Sequence, residues 1–241
     1  MTRPATPERM DADDVDPREI DESFRFIRIV NRRLGGIAGL RAVFERDLAT
    51  WPRDRPMRWL DVGTGAADIP LAIDAWAVRR GLSVECVAID RHPACLAVAR
   101  GAVDDHPRVR VEEGDALALD RFADASFDYV HAGMFLHHLV DEDVVRVLAA
   151  MGRCARRAIV WNDLLRSPLS RAGIAILTLG ASPIVRDDAR LSVAKGFTVV
   201  EARTLARSAG LDRVDVRVRR LVGRFVLTGS AGAGTRAARP R

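Results

Sequence analysis

A chain of 241 residues with 48% hydrophobic and 29% charged residues has the size and composition of one α/β domain with a buried core. The longest apolar stretch outside the expected strands, residues 172–180, is too short to span a bilayer, and the polar, acidic start from Met1 to Asp16 has no signal-peptide character, so a cytoplasmic protein is expected. The formal net charge of +5 comes almost wholly from arginine, since Lys195 is the only lysine, and these arginines are spread among many acids; nucleic-acid binding is therefore discounted, although residues 213–224 and 236–241 are locally basic. Cys86, Cys95 and Cys154 lack metal-ligand spacing and read as three buried reduced thiols.

Residues 1–16, rich in Pro, Asp and Thr, read as disordered. Ile20, Phe24, Ile27, Val30 and Leu34 recur at helical spacing, Gly35-Gly36 interrupts, and Leu40, Val43, Phe44 and Leu48 resume, which predicts amphipathic helices over 17–50. Strand and helix then alternate, as in a doubly wound parallel sheet. Strands are expected at 58–62, 84–90, 109–113, 127–132 and 158–161, with helices at 67–80, from Pro93, and at 141–154. Residues 164–196 break the alternation and read as a helical insertion. Thr198-x-x-Glu201 is a capping box for a helix ending near Gly210, and the β-rich runs 214–218 and 225–228 should close the sheet as an antiparallel hairpin. The expected domain thus spans 17–229, followed by a disordered tail over 230–241.

The most informative stretch is Trp59-Leu60-Asp61-Val62-Gly63-Thr64-Gly65-Ala66-Ala67-Asp68, an apolar strand running through a Gly-x-Gly turn into a helix. Glycines there allow positive φ and bring backbone close to a ligand at the carboxyl end of a parallel strand. Two more acids end the next strands: Asp90, placed to take both hydroxyls of a ribose, and Asp115, placed to accept from an exocyclic adenine amine. Asp61 is placed to neutralise a ligand ammonium. Such a set suits an adenosine bearing a cationic amino-acid arm and no phosphates.

In Leu60-Asp61-Val62-Gly63-Thr64-Gly65, Ile89-Asp90, Gly114-Asp115-Ala116 and Phe127-Asp128-Tyr129-Val130 the chain resembles the class I S-adenosylmethionine-dependent methyltransferases. The resemblance implies a Rossmann-like seven-stranded sheet of order 3-2-1-4-5-7-6 with strand 7 antiparallel. It further implies S-adenosylmethionine as donor, S-adenosylhomocysteine as product and no metal. The donor residues it implies are Asp61, Gly63, Thr64 and Gly65 for the methionine part, Asp90 for the ribose and Asp115 with Ala116 for the adenine, with Asp68, Arg91 and Ala132 also cofactor-binding. Ala67 stands where many members carry a third glycine. A nicotinamide-dependent oxidoreductase is the rival for the loop, but Asp68 occupies its third-glycine position, and Asp61 and Asp68 would repel a pyrophosphate.

Methyl transfer from a sulfonium needs donor and acceptor collinear, and a phenol or activated carbon also needs a base. His137 and His138, just past the fourth strand, are candidates; each is equally readable as a helix cap or a packed side chain. Asp163, after the fifth strand, is a second candidate base, an orienting group for a substrate hydroxyl, or a cap. His131 reads as structural, His92 and His106 as surface residues. The apolar run 169–179 with Arg186-Asp187-Asp188-x-Arg190 reads as a lid over the acceptor, assisted by Phe24 and Ile27. Asn162-Asp163-Leu164 and Asp188-Ala-Arg-Leu-Ser192 resemble quinone-biosynthesis and polyketide-tailoring methyltransferases, which implies a small aromatic or hydrophobic acceptor methylated on oxygen or carbon. An RNA methyltransferase and a non-catalytic adenosyl-binding protein are the alternatives; a monomer or homodimer is expected.

Overall fold

The computed structural model describes residues 3–12 and 15–232. Two helices, α1 (Pro17–Arg33) and α2 (Gly36–Arg46), precede the sheet. The Asp16 carboxylate caps α1 by accepting from Arg18 N–H at 2.7 Å, with Pro17 at the first helical position. Gly35, at φ +92°, turns the chain between the two helices. The alternating core follows as β1 (Met57–Val62), α3 (Asp68–Arg79), β2 (Val84–Asp90), α4 (Pro93–Val103), β3 (Val109–Glu113), β4 (Phe127–Gly133), α5 (Asp141–Cys154) and β5 (Ala155–Leu164). Then come α6 (Pro168–Leu177), α7 (Pro183–Lys195), α8 (Val199–Ser208), β6 (Leu211–Arg219) and β7 (Arg224–Ala231).

The seven strands order β3-β2-β1-β4-β5-β7-β6. β2, β1, β4 and β5 pair in parallel, β3 joins parallel to β2, and β7 runs antiparallel to both β5 and β6. This is the order and the antiparallel seventh strand that the sequence implied. Strand alternation divides the core. Leu60, Val62, Val130, Ile159 and Trp161 face α5 and α8, while Trp59, Tyr129 and Val160 face α2 and α3. The Thr198–Glu201 capping box forms with both of its bonds.

Several boundaries differ from the sequence reading. β5 runs to Leu164 rather than Trp161, because Asn162 and Asp163 are satisfied inside the protein instead of turning outward. Residues 3–12 are ordered and packed: Arg3 donates to the carbonyls of His137, Leu139 and Lys195 and pairs with Asp141, and Asp188 accepts from the backbone of Arg9 and Met10 at 2.8 and 2.9 Å. β7 extends through Ala231, and residues 233–241 of the expected tail lie outside the described residues.

The segment 164–196 forms α6 and α7, clasped at its neck. Phe197 N–H donates to Leu164 O at 3.0 Å, and Arg166 N–H to Phe197 O at 2.8 Å. Ser167 caps α6, accepting from Ser170 N–H. Val15, Ile184 and Val185, with Ile20 and Phe26, make a small separate core that joins α7 to α1. These helices therefore sit across the carboxyl edge of the sheet as a layer fastened to the chain's first helix.

Candidate active site

A cavity of about 500 Å³ opens at the carboxyl ends of β1, β2 and β4. Asp61, Gly63, Thr64, Gly65, Asp68, Asp90 and Arg91 line one end. His137, His138, Glu8 and Lys195 line the other, under an apolar wall that includes Phe24, Ile27, Ile174 and Val185. Asp115, Ala116 and Ala132 are not in this wall: Asp115 is exposed and accepts from Leu117 N–H at 2.9 Å, while Ala116 and Ala132 belong to the core.

The glycine turn is held from both sides. Asp61, buried at the end of β1, lies opposite His131 in the β1–β4 register, and His131 Nδ1 is 2.5 Å from its Oδ1. Thr64 Oγ1 donates to Asp61 Oδ2 at 2.7 Å. Asp90 accepts from Gly65 N–H and His92 N–H, both at 2.9 Å, so β2 fixes the far side of the turn. Gly63 is at φ +69°, and a Cβ there would overlap the Phe135 ring. Gly65, at φ +57°, has nothing within 4 Å of where a Cβ would lie, so its backbone is bare toward the cavity. Ala67 takes φ +57° at the start of α3, a conformation that favours glycine, and is fully buried.

These residues fit the donor implied by the sequence. The cradle is acidic, with Asp61, Asp68 and Asp90 around bare glycine backbone, which suits a cation rather than a pyrophosphate. Asp68 is tuned by its surroundings: burial pushes its carboxyl up to about 6, opposed by the amide of Asn31, which donates to it at 3.2 Å, and reinforced by the Asp61 charge. Asn31 in turn accepts from Arg224 Nη2 at 3.0 Å. Burial lowers the Arg224 guanidinium to about 10, and Asp163 and Asp68 act against that.

The other end holds a buried pair. His137 Nδ1 lies 2.7 Å from Asp163 Oδ1. The Asp163 carboxylate also accepts from Trp161 Nε1 at 3.1 Å and Leu164 N–H at 2.8 Å. Burial alone would raise its pKa; His137 and these donors hold it below the ordinary carboxylate value. It is therefore ionised and only accepts, which places a proton on His137 Nδ1 and directs Nε2 into the cavity. His137 Nε2 is buried with no hydrogen-bond partner. Asp163 lies in β5, so the turn and helix-cap readings of it are set aside; Ser167 caps the next helix. His138 is partly exposed beside His137, their ring centroids 4.3 Å apart.

Other expectations sort plainly. His131 is buried against Asp61, as a structural residue should be. His92 is not a surface residue: both ring nitrogens are buried and the side chain lines the cavity. Cys86 and Cys154 are buried, but Cys95 is only half-buried and lines the cavity. Within the expected lid, Asp188 holds the N-terminal segment through the backbone of Arg9 and Met10. Glu8, Lys195, Asn31 and Arg224 were not anticipated as site residues. For Lys195 a signal existed, since a lone lysine in an arginine-rich chain is conspicuous.

Residues 60–158 match the family described as a methyltransferase domain. No curated protein matches the chain. Among solved structures, the CurJ carbon methyltransferase is 12% identical with a TM-score of 0.60, covering 79% of this chain and 52% of its own. The citrinin polyketide synthase CMeT domain is 13% identical at TM-score 0.59, covering 78% and 50%. A SAM-dependent methyltransferase from Aquifex aeolicus is 18% identical at TM-score 0.55, covering 77% and 87%. The chain thus spans about half the length of the first two. Its fold is the Rossmann-like fold of these methyltransferase structures, and the match to the methyltransferase-domain family is confined to residues 60–158. Among the described residues, no helix is long and apolar enough to cross a membrane.

Proposed function

We propose that this protein transfers a methyl group from S-adenosylmethionine to an oxygen or carbon of a small aromatic or hydrophobic acceptor, with His137 as general base. The observation that carries the reading is the buried Asp163–His137 pair, whose unpartnered Nε2 opens onto the cavity that the glycine turn also lines. When bound, the donor supplies an electrophilic methyl on sulfur. The chain supplies the rest. Gly63, Thr64 and Gly65 bring backbone to the methionine end, Asp61 and Asp68 offer negative charge, and Asp90 is placed for the ribose, with Arg91 beside it. Asp115 and Ala116 remain assigned to the adenine, and Ala132 to the cofactor, by resemblance alone.

As the acceptor's oxygen or carbon takes the methyl, its proton passes to His137 Nε2. The resulting imidazolium is stabilised by the Asp163 carboxylate, which also fixes the ring's tautomer. His138 lines the same wall and is the alternative base. The apolar wall from α1, α6 and α7 excludes water and selects an acceptor with a hydrophobic body. The similarity in fold to a carbon methyltransferase and to a polyketide synthase CMeT domain supports the methyl-transfer reading.

The test is incubation of a metabolite extract with methyl-labelled S-adenosylmethionine, followed by mass spectrometry for small molecules that gain the label. Calorimetry of S-adenosylhomocysteine against wild type and Asp90→Ala accompanies it. Micromolar binding lost in Asp90→Ala, with label on an aromatic or hydrophobic compound, supports the proposal. Absence of binding to either donor or product would sink it, and label appearing on RNA would replace it.

A further inference from the structure

Resting on that reading, a second feature of the cavity indicates what its acceptor end is built to hold. Glu8 belongs to the segment ahead of α1 and is only 4% exposed. Its Oε1 is buried without a hydrogen bond. Three nitrogen-bearing side chains converge on this single oxygen: Lys195 Nζ at 3.5 Å, His137 Nε2 at 3.8 Å and His138 Nδ1 at 3.9 Å. Lys195 is 3% exposed and His137 2%.

The same segment is fastened tightly elsewhere. Arg3 Nη2 reaches Leu139 O at 2.6 Å, and Asp188 accepts from Arg9 and Met10 at 2.8 and 2.9 Å. At Glu8 the separations are longer than those of well-formed hydrogen bonds. A tie meant for stability would close these gaps; a site shaped for another oxygen would not. The apolar wall beside the cluster supplies room for the body that such an oxygen would be attached to.

We propose that Lys195, with His138 beside it, forms the binding site for an anionic oxygen of the acceptor, a phenolate or carboxylate borne apart from the atom that gives its proton to His137, and that Glu8 Oε1 holds its place until the acceptor displaces it. The lysine supplies a fixed positive charge, worth far more in this water-poor cavity than at a surface. Glu8, His137 and His138 also offer ligand atoms within 4.8 Å of one another, a spacing open to a divalent cation. The ammonium beside Glu8 favours the anion instead.

The test is calorimetry with benzoate, 4-nitrophenolate and neutral benzamide, each titrated into wild type, Glu8→Gln and the Glu8→Gln/Lys195→Met double variant. S-adenosylhomocysteine is kept saturating throughout. Removing an occupant that blocks most of the population should tighten binding of benzoate or nitrophenolate by about tenfold or more. Benzamide should not gain, and the added Lys195→Met should abolish the gain. The anion that gains distinguishes a carboxylate from a phenolate acceptor. An equal gain for benzamide, or no gain in a Glu8→Gln protein with unchanged circular dichroism, overturns the proposal. So does tight Zn²⁺ binding by wild type that Glu8→Gln abolishes. Separate titration of S-adenosylhomocysteine reports the donor reading alone: if it fails to bind, that reading fails, while the anion arms, repeated without it, still decide this one.

Discussion

The Asp163 carboxylate accepts from His137 Nδ1 at 2.7 Å with both side chains almost wholly buried, and every partner of that carboxylate is a donor. Such a pair keeps one imidazole nitrogen protonated and the other available, as general-base catalysis needs. Asp163→Asn reverses that logic, because the amide must turn an N–H toward His137, Trp161 or Leu164. Turnover on the true acceptor should fall by about 10² to 10⁴, with S-adenosylhomocysteine affinity nearly unchanged. Single-turnover rates beside calorimetry check this, and His137→Gln should show the same split. Full turnover in both would remove the dyad from the mechanism.

Donor affinity should depend on pH through Asp68. Its carboxyl is pushed up to about 6 by burial, so acidification neutralises it in the free protein before an ordinary aspartate would respond. A cationic donor favours the ionised form, so binding strengthens as pH rises through that value and then levels off. Between about pH 5 and pH 7.5 the association constant should rise roughly tenfold. Asp68→Asn should flatten the profile, measured by calorimetry in buffers of equal ionic strength.

Gly63→Ala should damage both fold and donor binding. The residue sits at φ +69°, and the added methyl meets the Phe135 ring. Left-handed backbone plus overpacking costs about 2–4 kcal/mol, read as a lower urea midpoint. Adding Phe135→Ala should recover the overpacking share and leave the backbone share. If the double variant is no better than the single one, the clash is not the cause.

Asp128 should prove a stability residue remote from chemistry. It is buried at the start of β4, takes Arg55 through both oxygens at 2.7 Å, and accepts Arg58 N–H at 3.0 Å. Burial would raise its pKa, but Arg55 and that backbone donor hold it below the ordinary value. A depressed folded pKa means stability that is present at neutral pH and lost as pH falls through the acid range. Asp128→Ala leaves Arg58 N–H and the partly exposed Arg55 without their acceptor and should cost about 1–3 kcal/mol in urea denaturation at pH 7. The difference from wild type should shrink toward pH 3, with S-adenosylhomocysteine binding intact where the variant is folded.

The sheet was readable because each strand carries its own evidence. The run 84–90 is mainly apolar, 109–113 alternates valine with charge before ending in acids, and Thr198 with Glu201 announces a helix start that the structure shows with both bonds. The glycine turn was readable because acids end three neighbouring strands. What escaped notice depends on distant partners. Asn162 and Asp163 look like turn formers until Asn162 is seen donating to Gly36 O at 2.7 Å and Asp163 collecting donors from His137 and Trp161. Residues 3–12 have the composition of a loose tail, yet Asp188 and the carbonyls around His137 hold them from well over a hundred positions away. No local pattern encodes that. The placement of Asp115 and Ala116 outside the cavity wall is likewise invisible in a strand-end motif.

Trp161 gives the dyad an optical voice. Trp51, Trp59 and Trp76 share one aromatic cluster on the opposite face of the sheet, whereas Trp161 lies against Phe197 and Phe225 with its indole N–H on Asp163 Oδ2. With the other three tryptophans replaced by phenylalanine, its emission would follow the charge state of Asp163–His137. Proton movement in the acceptor chamber could then be watched in real time, with no label attached and before the acceptor is known.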